Sequence, residues 1–205
     1  MYPGDTWEKR AARLFLYKHA KQSPVQGYAL TLTGTEPKAE LGLLRDYLNW
    51  PANRTWFVDK DKSKEVSKAV SFLKREWVGV NTSREDLRSV VPKLEAIGFA
   101  NLDFMGEPLN DESVDCLRVV IPRLLPGAVL GFTWFRGREL PSHKSEIRLR
   151  SISHGFQGNE RRWVGVLRTI DEISRRRLKF LGGWEYFSMR SPMSVAVFKT
   201  AKSPQ

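Results

Sequence analysis

The sequence predicts an α/β fold: a mainly parallel central sheet with helices on both faces and an antiparallel hairpin at its C-terminal end. Three observations lead there. From Tyr28 to Phe135, short apolar runs alternate with amphipathic ones, as strands do when crossover helices join them. In the middle, Ala100-Asn101-Leu102-Asp103-Phe104-Met105-Gly106 ends an apolar run in an acid, with a glycine soon after. That order puts a carboxylate at the rim of a sheet, where open α/β folds bind ligands. Towards the end, alternating runs over Trp184–Arg190 and Met193–Lys199 flank Ser191-Pro192 and pair as a hairpin.

The first helix is predicted over residues 7–21, with Trp7, Ala11, Leu14 and Lys18 at helical spacing, a cap at Asp5 or Thr6, and Pro24 as its stop. His19 then sits as a surface histidine near a helix C-terminus, where positive charge is favoured. Tyr28–Thr33 reads as a strand, Gly34-Thr35-Glu36 as a turn, and Pro37 opens a helix with Ala39, Leu41, Leu44 and Leu48 inward. Thr55–Val58 is the second strand and ends in Asp59-Lys60-Asp61, before a helix capped by Ser63 that buries Val66, Val70 and Leu73. Trp77–Val80 reads as a third strand, and Asn81-Thr82-Ser83 as the cap of a helix over 84–97 that Gly98 closes. A fourth strand runs to Phe104, a helix covers about 111–125, and Ala128–Phe135 is a fifth strand buried on both faces. Residues 137–160 read as a polar loop, and 161–180 as a basic helix.

The net charge is +11, and Arg136–Arg190 holds thirteen Lys/Arg against six Asp/Glu, a net of +7. Charge gathered in this way points to a polyanion, and nucleic acid is the expected partner. Arg161, Arg162, Arg168, Arg175, Arg176, Arg177 and Lys179 form the candidate phosphate-binding stripe, with a solvated helix face as the bland alternative. No apolar run approaches the ~20 residues of a membrane span, and no basic-then-apolar leader opens the chain. The single cysteine, Cys116, excludes an internal disulfide and reads as a small buried residue. The expectation is an intracellular, cytoplasmic protein without membrane partners. His143 and His154 lack metal-ligand spacing, so no metal site is expected.

Five strands alternating with helices, followed by a hairpin, resemble the class I S-adenosylmethionine-dependent methyltransferases, a Rossmann-like fold. The resemblance covers roughly residues 25–200, leaving 1–24 as an N-terminal helix and 137–180 as a basic insertion and helix within the domain. It implies S-adenosylmethionine as cofactor. It makes Gly34, Thr35 and Glu36 the first cofactor turn, Asp59 and Asp61 the ribose acids, and Asn81 and Phe104 further cofactor contacts. Asp103, in Leu102-Asp103-Phe104-Met105-Gly106, matches the motif lining the transfer site and is the catalytic candidate. A carboxylate can accept from both hydroxyls of a ribose diol, and glycine lets backbone approach a ligand. The first turn carries one glycine where the family has two or three, and the Asn/Asp-Pro-Pro-aromatic tetrad is absent. Two other readings therefore stay open. One is an inactive methyltransferase-like module that binds nucleic acid; the other is a metal-dependent nuclease built on Asp59, Asp61 and Asp103.

Overall fold

A computed structural model describes residues 6–23, 25–32, 34, 37–104, 106–136, 144–188 and 191–201. The elements are α1 (Trp7–Lys21), β1 (Tyr28–Leu32), α2 (Lys38–Gly42, continued as a wider π turn over Leu43–Tyr47), β2 (Thr55–Val58), α3 (Lys64–Glu76), β3 (Asn81–Ser83), α4 (Leu87–Val90) and β4 (Ile97–Asp103). They continue with α5 (Asp111–Val120), β5 (Leu124–Phe135), α6 (Lys144–Ile152), α7 (Gly158–Ser174), β6 (Leu178–Ser188) and β7 (Ser191–Thr200). The seven strands lie in the order β3-β2-β1-β4-β5-β7-β6. β1 to β5 run parallel, and β7 pairs antiparallel with both β5 and β6. The predicted sheet and hairpin are therefore present. The chain leaves β1 towards β2 on one side and returns to β4 on the other, so the carboxyl ends of β1 and β4 bound a switch point.

Alternation along the strands sorts the core. Leu30, Ala100, Leu102, Leu130, Phe132 and Trp134 pack with α4, α5, α6 and α7 on one face. Ala29, Phe57, Phe99, Val129 and Val197 pack with α1, α2 and α3 on the other. Both faces of the central strands are covered, which explains why β4 and β5 are nearly continuous apolar runs.

Several boundaries move from their predicted places. Trp77–Val80 is a turn, and the third strand is Asn81–Ser83, which pairs in parallel with Trp56–Val58. The helix predicted over 84–97 is cut to α4 and a 3₁₀ turn over Val91–Lys93. Pro92 cannot donate to the ladder and clashes with the carbonyl four residues back. Ile97 and Gly98 consequently open β4. Pro122 shortens α5 in the same way, and β5 starts at Leu124. The polar stretch 137–160 contains α6, where Ile147, Leu149 and Ile152 recur at spacings the eye reads as aperiodic.

α1 has its predicted span, and Thr6 caps it by accepting from the Lys9 amide. Its buried face differs. Trp7 is 70% and Leu14 50% exposed, whereas Ala12, Leu16, Tyr17 and Ala20 are buried. The reason is polar rather than apolar: Tyr17 Oη donates to Glu40 Oε2, and Arg13 Nε lies 3.0 Å from Glu40 Oε1. This buried triad fixes the rotation of α1, and Leu16 then closes over Gly131, where an added Cβ would meet Leu16 Cδ2 at 2.6 Å. His19 is half-buried with its ring centroid 4.8 Å from that of Phe15, and burial, with Lys18 and Lys199 nearby, lowers its pKa; it is not the favourable helix-end cation predicted.

Tyr17→Phe removes one donor to a buried carboxylate, so unfolding should become easier by about 1.5–3 kcal/mol. Leu14→Ala on the exposed face should stay within about 0.5 kcal/mol of wild type. Urea unfolding of the two variants separates this triad-fixed rotation from the predicted one.

Candidate functional site

The site is built on strand ends. Register places Leu32 opposite Val58, and Thr31 opposite Asn101. Asp59 and Asp103 therefore stand at one level at the carboxyl rim, on strands to either side of β1. With strands ~4.8 Å apart, their Cα atoms are roughly 10 Å from each other. Gly34 belongs to the turn after β1; its φ is +56°, and a Cβ built on it would meet nothing within 4 Å. Glycine serves the left-handed backbone there, and the space over the turn is open. Thr35 and Glu36, the rest of that predicted turn, lie outside the described residues.

Asp59 is half-buried. Its Oδ1 accepts from the Asp61 amide at 2.9 Å, and Asp61 Oδ1 accepts from the Ser63 amide at 2.8 Å. These Asx turns lead into α3, whose cap is Ser63. Asp61 is thereby a surface turn residue. Asn81 is not brought to this rim. It is the first residue of β3, level with Trp56, and its Nδ2 donates to the carbonyls of Asn53 and Thr55. Its predicted place followed from reading Trp77–Val80 as the strand.

Asp103 ends β4 opposite Thr133 of β5. Its Oδ1 is buried and has no hydrogen-bond partner among the described residues. A cavity of about 20 Å³, the size of one water, lies beside it, lined by Arg13, Glu40, Asn101, Asp103, Thr133 and Tyr186 among others. α1 is its roof, so the triad that orients α1 also closes this chamber. Burial, and next the Asp103 charge, push the Tyr186 hydroxyl well above the usual tyrosine range. Tyr186 stays a neutral donor at physiological pH. Sequence reasoning missed Arg13, Glu40 and Tyr186; the spacing of Arg13 and Tyr17 on one helix face was their one local signal. Phe104 points to the other face, 5.8 Å from the Phe132 ring.

The basic stripe is divided. α7 ends at Ser174, and Arg175 and Arg176 follow with left-handed backbones (φ 50° and 61°), so the three arginines form a turn rather than a helix face. Arg161 and Arg175 are about 21 Å apart at 1.5 Å per helical residue. α7 runs down from the carboxyl rim, which leaves Arg161 and Arg162 near that rim and Arg175–Lys179 at the amino rim. Arg168 donates to the Ile152 carbonyl and stacks on Phe156. Arg177 donates to the Ser174 carbonyl at 3.3 Å. Cys116 is buried, and burial raises its thiol to about 12, the apolar role expected of it. Among the described residues no three His, Cys, Asp or Glu side chains gather as a metal site, and no helix is long and apolar enough to cross a membrane.

No family model and no curated protein sequence matches the chain. Solved structures do. An rRNA methylase from Streptococcus thermophilus superposes with a TM-score of 0.59 at 8% identity, over 93% of this chain and 97% of that one. The N-methyltransferase NodS from Bradyrhizobium japonicum gives 0.58 at 16% identity, over 97% and 99%. The same enzyme in complex with S-adenosyl-L-homocysteine gives 0.53 at 16% identity, over 96% and 89%. With its strand order, its antiparallel seventh strand and these neighbours, the chain has the class I S-adenosylmethionine-dependent methyltransferase fold.

Proposed function

We propose that this protein is an S-adenosylmethionine-dependent methyltransferase that acts on a nucleic acid. The observation that carries the reading is a pair of carboxylates, Asp59 and Asp103, set level at the switch-point rim beside an open glycine turn, with Asp103 Oδ1 lacking a partner among the described residues. A half-buried acceptor at the end of β2 suits a vicinal diol, and the Gly34 turn leaves room for a ligand's chain. The bound cofactor would supply an activated methyl group on a cationic sulfur. Asp103 Oδ1, buried beneath α1 beside a space for one water, can take a proton from an acceptor N–H or O–H only through such a water. Tyr186 and the α1 roof keep bulk water from that oxygen. Support for a nucleic acid comes from the charge of Arg136–Arg190 and from the rRNA methylase among the neighbours. A second reading, an inactive module on the same fold that binds nucleic acid, is favoured by the single glycine of the first turn.

Calorimetry with S-adenosylmethionine and S-adenosylhomocysteine separates the two. The active reading expects binding of both, and no heat from either leaves only the inactive module. Asp59→Asn keeps the Oδ1 acceptor of the turn but loses the charge, so cofactor affinity should fall by about 1.5–3 kcal/mol, tenfold or more. Asp103→Asn should leave that affinity within about threefold and slow methylation of an RNA substrate by about 10²–10⁴, the usual range for a proton acceptor.

A further inference from the structure

The amino rim of the sheet, opposite the carboxylates, carries features that the proposed reaction does not use. A cleft of about 530 Å³ opens there between the end of α1 and the loops entering β1 and β2. Its lining includes Lys21, Gln26, Asn49, Trp50 and Arg54. Lys21 Nζ sits 4.1 Å from the Tyr47 ring centroid, which holds its charge at the cleft. Lys199 reaches the same corner, where its Nζ contacts Ser23 Oγ. Ser23 lies in the segment between Lys21 and Val25, both of which line the cleft.

Charge on this rim is placed against local physics. Lys179 and Lys199 are direct cross-strand partners on β6 and β7, an arrangement that like charges destabilise. Burial chiefly, and then the charges of Lys18 and Lys199, lower the pKa of His19 at this end of α1. Arg175 and Arg176, which lead into β6, are exposed and hold left-handed backbones that side chains disfavour. Among the described residues the acids here are Asp171, 3.9 Å from Arg176, the exposed Glu172 and Glu95, and Asp46 and Glu76, which pair with Arg45 and Arg75.

We propose that this amino-rim cleft is the docking site for a single-stranded nucleic acid. Lys21, Arg54, Lys179 and Lys199 hold its phosphates, and one nucleotide enters the cleft. The volume suits one small-molecule-sized unit and excludes a duplex. A cationic groove walled by an aromatic residue is how single strands are held without sequence readout. The site lies a strand's length from the carboxyl rim, about 20 Å along the seven residues of β4. A strand docked here is thus anchored away from the point of chemistry. The proposal deepens the nucleic-acid part of the proposed function and is independent of the cofactor.

The test is binding of a single-stranded RNA oligonucleotide to the full chain at several salt concentrations, with duplex DNA and phosphatidylserine vesicles as parallel probes. The variants are K179Q/K199Q and, on the cleft wall, K21Q/R54Q. Each pair should weaken RNA binding about tenfold at 0.1 M salt and flatten the log–log salt slope by about 1.4, two single-strand contacts' worth. Melting temperature should hold or rise in K179Q/K199Q, because a like-charge pair is relieved; should that variant misfold, K21Q/R54Q alone decides. Wild-type affinity and slope in both pairs would overturn this site and leave nucleic-acid binding to the α7 arginines. No RNA binding by the wild type would overturn the nucleic-acid reading and this site together. Loss of vesicle binding with RNA binding untouched would make the rim a membrane-facing surface instead.

Discussion

The contact on which the rest of the molecule depends is the buried triad of Arg13, Tyr17 and Glu40. An ion pair away from water is tolerable only when each lone pair and proton finds a partner. Glu40 meets that condition by taking a guanidinium on one oxygen and a phenol on the other. The geometry admits one rotation of α1, and apolar packing follows it: Leu16 over Gly131, Ala12 against Tyr186, Met193 and Val195, and Leu14 turned to solvent. α1 would otherwise be a weakly amphipathic helix with several comparable faces. With it in place, a space for about one water remains beside the ends of β4 and β5. The burial of Asp103 Oδ1 and the neutrality of Tyr186 are consequences of that roof.

The carboxyl rim carries both signs of charge, with Lys60 and the start of α7 (Arg161, Arg162) beside its acids. Carboxylates Asp59 and Asp103 stand at the carboxyl rim. Lys21, Arg54, Lys179 and Lys199 stand at the amino rim, with the turn after α7. Among the parallel strands every β–α connection returns the chain to the same end; β7 is antiparallel, and its end brings Lys199 to the amino rim beside Lys179 at the start of β6.

Between the rims, an aromatic series links the site to the hairpin: Phe104, Phe132, Trp134, Trp163, Phe180 and Phe198 have successive ring centroids 4.8–6.2 Å apart. Glu185 secures its middle by accepting from Trp163 Nε1 at 2.7 Å and pairing with Arg136 at 2.8 Å. α7 is therefore anchored by its aromatic face and by one carboxylate.

What the sequence by itself determined was the alternation, and with it the sheet, the hairpin and the acids at strand ends. Those properties rest on periods of 2 and 3.6 and on turn residues, all of which are local. Asp59 and Asp103 were legible because an acid ending an apolar run has few other places to be. Boundaries near Pro92 and Pro122 were misplaced because apolar residues continue past each proline and serve equally as helix or strand. Asn81 was misassigned for the same reason: the apolar Trp77–Val80 outranked the polar Asn81–Ser83 as a strand, yet pairing with β2 favours the latter. Only tertiary structure could decide the face of α1, since its partner Glu40 is on another helix twenty-three residues from Tyr17. Only it could set Lys179 against Lys199, or divide one run of arginines between two ends of the molecule. Charge is written locally, but where it meets other charge is decided by contacts between distant segments.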